Sequence, residues 1–253
     1  MNESSTQPPR ILILGGTSEG VTLAARLAHR TDLSILSSLA GRVASPKLPE
    51  GPVRIGGFGG LDALAAFLIA ENIAAVIDAT HPFAATISRN AETACNRTGI
   101  PLLALTRPSW KKLEGDQWHE VPDFATAASF VNQHYARVFL SIGRQEVSAF
   151  SERNNPWFLI RSIEAPEAPL PPQYTLILAR GPFALEDELA LLREHHIDCI
   201  VSKNSGGLAT YGKVEAARAL RLPVVMIQRP HKHTITPCET VDEVLAQFAQ
   251  LVR

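Results

Sequence analysis

Short apolar runs alternate with longer stretches of helical period along the whole chain. This alternation limits the fold more than any other feature. Strands covered on both faces read as continuous apolar runs, and crossover helices read as one-sided apolar stripes, so the pattern predicts an α/β protein with mainly parallel sheets. Strands are expected at 11–14 (ILIL), 33–38 (LSILSS), 53–55 (VRI), 75–78 (AVID) and 102–105 (LLAL), with helices at 18–29, 61–70 and 84–97. In the helix at 61–70, Leu61, Leu64, Ala65 and Leu68 fall at i, i+3, i+4 and i+7, which is one apolar face. The second half restarts the alternation, with strands at 137–141, 157–161, 174–178, 198–202 and 224–227 and helices at 123–133, 184–195, 208–220 and 240–251.

The halves also echo one another. Residues 100–108 read IPLLALTRP and residues 222–230 read LPVVMIQRP; each has a proline opening a buried strand and Arg-Pro closing it. Gly16-Thr17-Ser18-Glu19 has a counterpart in Gly143-Arg144-Gln145-Glu146, each after an apolar strand. The matches occur in the same order at similar offsets and favour two related domains. A length of 253 residues is compatible with two small domains. We expect a disordered tail over 1–9, one Rossmann-like domain over 10–112 and a second over 113–253, with a ligand cleft between them. The segment 108–122 reads as linker, and the proline cluster at 165–172 as a loop.

Several classes are excluded or disfavoured by composition. Lys+Arg total 24 against 25 Asp+Glu, so nothing predicts a nucleic-acid surface or a polybasic membrane anchor. No run of about 20 apolar residues occurs, the richest stretch at 61–79 being broken by Asp62, Glu71, Asn72 and Asp78. The three cysteines are scattered without a C-x-x-C pair, which predicts neither a disulfide framework nor a zinc ribbon and suits a reducing cytoplasm. His231-Lys232-His233 near Cys238 has poor spacing for a metal site, so no metal is expected. No Ser-His-Asp order, G-x-S-x-G or H-E-x-x-H occurs, which disfavours the common hydrolases.

The candidate chemistry lies at strand ends. The stretch ILILGGTSEG runs a strand into a glycine turn and a helix, the context of a dinucleotide fingerprint. Gly15 and Gly20 fit G-x-G-x-x-G, while Thr17 takes the middle place; Gly15, Gly16, Thr17 and Ser18 are expected to contact phosphate through backbone and hydroxyl. The alternative for the glycines is a tight turn needing positive φ. Glu19 either complements the helix dipole or faces the ribose or substrate. The second strand ends Ser37-Ser38-Leu39-Ala40-Gly41-Arg42, with no acid to hold a ribose 2′-hydroxyl; Ser37, Ser38 and Arg42 suit the 2′-phosphate of NADP(H) instead. Gly56-Gly57-Phe58-Gly59-Gly60 permits close backbone approach, with Gly57 a cofactor contact. Thr80 and His81 end the fourth strand, as cofactor contact and candidate proton donor respectively, or as capping groups. In the second half, Lys203, Asn204, Ser205 and Gly206 form a polar strand end, an anion site or a solvated glycine turn.

These segments together resemble one family. GGTSEG, SLAGR at 38–42, RIGGFGG at 54–60, DATHPFA at 78–84, TRPSW at 106–110 and SKNSGG at 202–207 are similar to the precorrin-6A reductases of vitamin B12 biosynthesis. The resemblance spans nearly the whole chain in order. It implies NADPH-dependent reduction of one double bond in the tetrapyrrole precorrin-6A, or its cobalt form, giving precorrin-6B, with no metal or flavin of the protein's own. A substrate rich in carboxylates would want cations, for which Arg107, Arg144, Lys203 and Arg229 are candidates. An NADP-sensing protein without chemistry and a two-domain sugar-nucleotide enzyme are the alternative expectations.

Overall fold

The computed structural model describes residues 8–41 and 48–251. In chain order the elements are β1 (Arg10–Leu14), α1 (Ser18–Ala28), β2 (Ser34–Leu39), β3 (Val53–Ile55), α2 (Leu61–Ala70), β4 (Ile73–Asp78), α3 (Ala85–Thr98) and β5 (Leu102–Ala104). There follow β6 (Gln117–Val121), α4 (Phe124–His134), β7 (Arg137–Ser141), a 3-10 turn (Glu146–Phe150), β8 (Trp157–Ser162), β9 (Tyr174–Leu178), α5 (Leu185–Glu194), β10 (Cys199–Lys203), α6 (Gly212–Leu220), β11 (Pro223–Ile227) and α7 (Val241–Leu251). Two compact units result, one of residues 1–107 with 230–253 and one of residues 108–229.

The first unit carries a parallel sheet of order β3-β2-β1-β4-β5. Alternate residues of β1 go to opposite faces, and both faces are covered. Ile11 and Ile13 pack with Leu23 and Leu27 of α1 and with Val244 and Phe248 of α7. Leu12 and Leu14 pack with Leu64 and Leu68 of α2 and Ala91 and Ala94 of α3. A strand clothed on both sides must be apolar at every position, which is why ILIL shows no alternation.

The second unit carries a parallel sheet of order β6-β11-β10-β7-β8-β9. Read from β9, the order β9-β8-β7-β10-β11 repeats β3-β2-β1-β4-β5, with β6 added outside. The two Pro-strand-Arg-Pro segments are β5 and β11, which hold equivalent places. Gly16 and Gly143 follow the two equivalent first strands, and both have positive φ, 116° and 97°. The internal echo in the sequence is therefore an echo in the fold.

Three expectations need correction. Residues 230–253 belong to the first unit, not to the second as the 113–253 boundary would have it. Val244 and Phe248 are buried in the first unit's core, and Cys238 bridges to Leu105 through its backbone N–H to Ala104 and its carbonyl to Thr106, both 2.8 Å. An apolar helical face requires a sheet to cover but does not say which one. The supposed linker 108–122 contains β6, an edge strand that buries only Trp118 and Val121 and so presents little apolar pattern. The helix expected over 208–220 begins at Gly212.

Candidate functional site

In the first unit the carboxyl ends of β1–β5 gather most of the predicted residues, the place where doubly wound sheets bind ligands. The β1–α1 turn is built by its glycines. Gly16 at φ 116° has open space where a Cβ would stand. Gly15 donates its N–H to Ser38 O at 2.9 Å, and a Cβ there would lie 3.1 Å from Leu39. Gly20 lets α1 approach β4, since its Cβ would meet that of Ala79 at 3.3 Å. Thr17 caps α1: its hydroxyl accepts from Gly20 N–H at 3.1 Å and donates to Ala79 O at 2.7 Å. With its proton committed, the Thr17 hydroxyl is not the phosphate donor the sequence suggests. The N–H groups of Ser18 and Glu19 open the helix without intrahelical partners, and they remain suited to an anion.

Glu19 does not stand alone. Its carboxylate accepts from Arg107 at the end of β5, 2.9 Å away, and from the Ser18 hydroxyl at 3.2 Å. Arg107, expected as a cation for substrate, is thus half of an ion pair. At the end of β2, Ser37 and Ser38 are buried, and among the described residues Ser37 Oγ has no hydrogen-bond partner. Arg42 lies outside the described residues. Gly57 is exposed, and its carbonyl accepts from Arg54, a residue the sequence reading passed over.

The end of β4 hides a buried ionic cluster. Asp78 is fully buried; its Oδ1 accepts from Thr80 N–H at 2.9 Å, and its Oδ2 lies 2.9 Å from His233 Nε2 and 3.8 Å from Lys232 Nζ. The His233 approach is close but does not have the alignment of a directed hydrogen bond. Burial by itself would raise the Asp78 carboxyl; His233, Lys232, Ser88 and Thr80 together outweigh it and hold the group well below the ordinary carboxylate range. Lys232 also donates to Thr80 O and Thr80 Oγ1 at 3.2 and 3.1 Å. Thr80 is consequently buried and turned inward, away from the cofactor role expected of it. In the pair Lys232–His233, dismissed as a metal motif, Lys232 serves as counter-charge to Asp78 with His233 beside it; only the fold could reveal that, because 152 positions of chain separate Lys232 from Thr80. Among the described residues no group of three or more metal-ligating side chains occurs. His81 accepts the N–H of Phe83 at Nδ1, 3.2 Å, so its neutral ring carries the proton on Nε2.

In the second unit, Arg144, Lys203, Asn204, Ser205, Gly206 and Arg229 assemble at the ends of β7, β10 and β11. Lys203 faces Glu146 at 3.4 Å, and Arg144 faces Glu164 at 3.0 Å. The rest of SKNSGG is a structural knot. Asn204 holds both the N–H and the carbonyl of Trp110, at 2.8 and 3.0 Å. Arg229 donates to the carbonyls of Asn204 and Pro108 at 2.7 and 3.0 Å. Gly206 has φ 67°, and a Cβ there would stand 2.0 Å from Pro108 O, so no other residue fits. Asn204, Gly206 and Arg229 therefore fasten residues 108–110 to β10 and β11.

A parallel-sheet unit with a glycine turn before a capped helix, and a second unit that repeats its strand order with cations at the strand ends, define the class of two-unit Rossmann-like α/β proteins. Residues 10–249 match the family described as Precorrin-6x reductase CbiJ/CobK. The precorrin-6A reductase of Rhodococcus erythropolis is 54% identical over 240 residues, covering 95% of this chain and 96% of that protein. That of a Sinorhizobium species is 49% identical over 247 residues, covering 97% and 95%. The solved structure of CobK precorrin-6A reductase superposes with a TM-score of 0.89 at 43% identity, covering 96% of this chain and 97% of that one. The chain belongs to the precorrin-6A reductase family of cobalamin biosynthesis. This membership sets aside the non-catalytic sensor and the sugar-nucleotide enzyme. Among the described residues no helix is long and apolar enough to cross a membrane.

Proposed function

We propose that the first unit holds NADPH at the ends of β1–β4 and that the chain uses it to reduce one ring double bond of precorrin-6A, giving precorrin-6B. The observation that carries the cofactor choice is the end of β2. Ser37 and Ser38 stand where a carboxylate would select NADH, and no acid takes their place. Arg42, three residues past β2, adds a cation for the 2′-phosphate. The residues fit a dinucleotide: Gly16 leaves room for close approach, Gly57 is open on the neighbouring strand end, and the first amides of α1 face outward for phosphate. Bound NADPH supplies the hydride. The chain supplies the rest. Arg107 neutralises Glu19, so the turn does not repel a pyrophosphate. Lys203, Ser205 and Arg144 of the second unit take the carboxylates of the substrate. His81 is the candidate donor to the reduced ring, giving its proton from the imidazolium form, in which Nδ1 is itself a donor and releases the Phe83 N–H.

The test is turnover of purified protein with precorrin-6A and either nicotinamide dinucleotide. Oxidation of NADPH matched to precorrin-6B formation, with NADH far poorer, is expected. Equal use of the two dinucleotides would overturn the NADPH assignment.

A further inference from the structure

We infer that Arg54, on β3, is the residue whose oriented guanidinium grips the 2′-phosphate of the dinucleotide, beside the charge that Arg42 adds. The inference rests on the NADPH reading and deepens it. Arg54 differs from most arginines of its unit. Arg10, Arg26, Arg30, Arg97 and Arg107 each face a carboxylate. Arg54 faces none. Its Nη1 and Nη2 donate to the carbonyls of Gly56 and Gly57 at 2.5 and 2.7 Å, and Nη1 lies 3.4 Å from Ser38 Oγ. Its guanidinium lies over Phe58 at 4.1 Å from the ring centroid, with Phe67 at 5.4 Å. Two carbonyls and an aromatic face thus fix the plane of a half-exposed cation.

The fixing leaves one side of the fork available. Carbonyls occupy the Nη1–Nη2 edge, whereas among the described residues nothing accepts from Nε. The Nε–Nη2 edge is the one that grips phosphate with two parallel hydrogen bonds. Position agrees with this chemistry. Arg54 is the register partner of Ser38 at the carboxyl ends of β2 and β3, the adenosine side of a doubly wound crevice. Neutral carbonyls hold the guanidinium without cancelling its charge, so a dianion placed there finds a full positive charge already oriented. The glycines at 56 and 57 have a second use, since their exposed carbonyls aim the arginine.

The experiment is calorimetric titration of adenosine 2′,5′-bisphosphate and of adenosine 5′-monophosphate, which differ only in the 2′-phosphate. Wild-type protein should bind the bisphosphate at least about tenfold more tightly, with a preference that falls as salt is added. Arg54→Ala should remove most of that preference and leave monophosphate binding within about threefold. Arg54→Lys, which keeps the stem and charge but lacks the fork, should retain part of it and guards against a variant that fails to fold. If wild type shows no preference, the NADPH reading falls and this inference with it. If wild type prefers the bisphosphate and both variants keep the full preference, or lose both nucleotides equally, Arg54 is not the reader and the NADPH reading stands.

Discussion

The two strand ends that follow β1 and β7 hold equivalent places in their sheets and lead into different elements. Each has a positive-φ glycine, Gly16 or Gly143, followed three residues later by a glutamate. After Gly16 the chain enters α1, eleven residues long and capped by Thr17. After Gly143 it makes a short 3-10 turn with no side-chain cap. A helix of three turns gathers an aligned dipole and exposed amides at its start, and a single 3-10 turn does not. The glutamates diverge likewise: Glu19 meets Arg107 from β5, while Glu146 meets Lys203 from β10. The two units share a backbone scaffold and differ in the charges set on it, so one presents the first amides of a helix and the other presents ion-paired cations at its strand ends.

Matched substitutions should break this pair apart most sharply. Gly16→Val and Gly143→Val each force a β-branched residue into a backbone region it avoids, at a cost of about 1–3 kcal/mol of stability. Gly16→Val should abolish detectable NADPH binding with the fold retained by circular dichroism, because the valine occupies the open space over the turn. Gly143→Val should leave NADPH affinity unchanged. Loss of NADPH binding in both variants, or in neither, would show that the turns are not functionally distinct. The next largest effect concerns what completes the first unit. Phe248 of α7 is 1% exposed in the core with Ile11 and Leu23. Phe248→Ala should cost about 3–5 kcal/mol, read as a lowered denaturation midpoint.

That α7 had to be seen in the structure shows where the sequence stops being legible. Strands clothed on both faces, such as β1, β7 and β11, announce themselves as continuous apolar runs. So do the glycine turn after β1 and the internal echo, since each depends on neighbours within ten residues. An edge strand such as β6 buries two side chains and announces little. The partner of Asp78 comes from the C-terminal segment, and the mate of Glu19 lies 88 positions away. Long-range charge pairing leaves no local pattern. Hence the strand-end motifs were readable as places, but Thr17, Thr80, Asn204 and Arg229 were not readable as groups with their hydrogen bonds directed inward.

His81 tests the catalytic side of the comparison, because its equivalent position in the second unit is Ser205, which cannot supply a proton at neutral pH. His81→Ala should lower kcat by about 10²-fold if the imidazole is the donor, with KM for NADPH little changed. The basic limb of the kcat–pH profile should flatten at the same time. A variant with normal kcat and an unchanged profile would assign His81 to the Phe83 turn alone.

The smallest expected effect distinguishes the buried charges of the two units. In the first, Asp78 is ionised and compensated. In the second, Lys213 opens α6 with 3% exposure, donates to Thr210 O at 2.8 Å and lies 5.0 Å from the Trp110 ring centroid. Burial chiefly, then repulsion from Arg161 and Lys203, pulls it from 10.5 down to about 7 against the opposing pull of Glu188. The sign follows from proton counting. Between about pH 7 and 10.5 the unfolded chain binds a proton at this lysine that the folded chain does not, so stability contributed by this site rises with pH across that window and stays low below it. Asp78 behaves otherwise: with its pKa depressed, its contribution is complete above about 3.8 and is lost only as pH falls below that, toward its folded value. Lys213→Met keeps the stem and removes the buried cation. It should stabilise the protein by about 1–3 kcal/mol at pH 6, with the gain shrinking toward pH 10. Denaturation midpoints measured at both pH values decide the matter. A Met variant that is less stable than wild type at pH 6 would mean that the Trp110 and Thr210 contacts outweigh the cost of burying the charge.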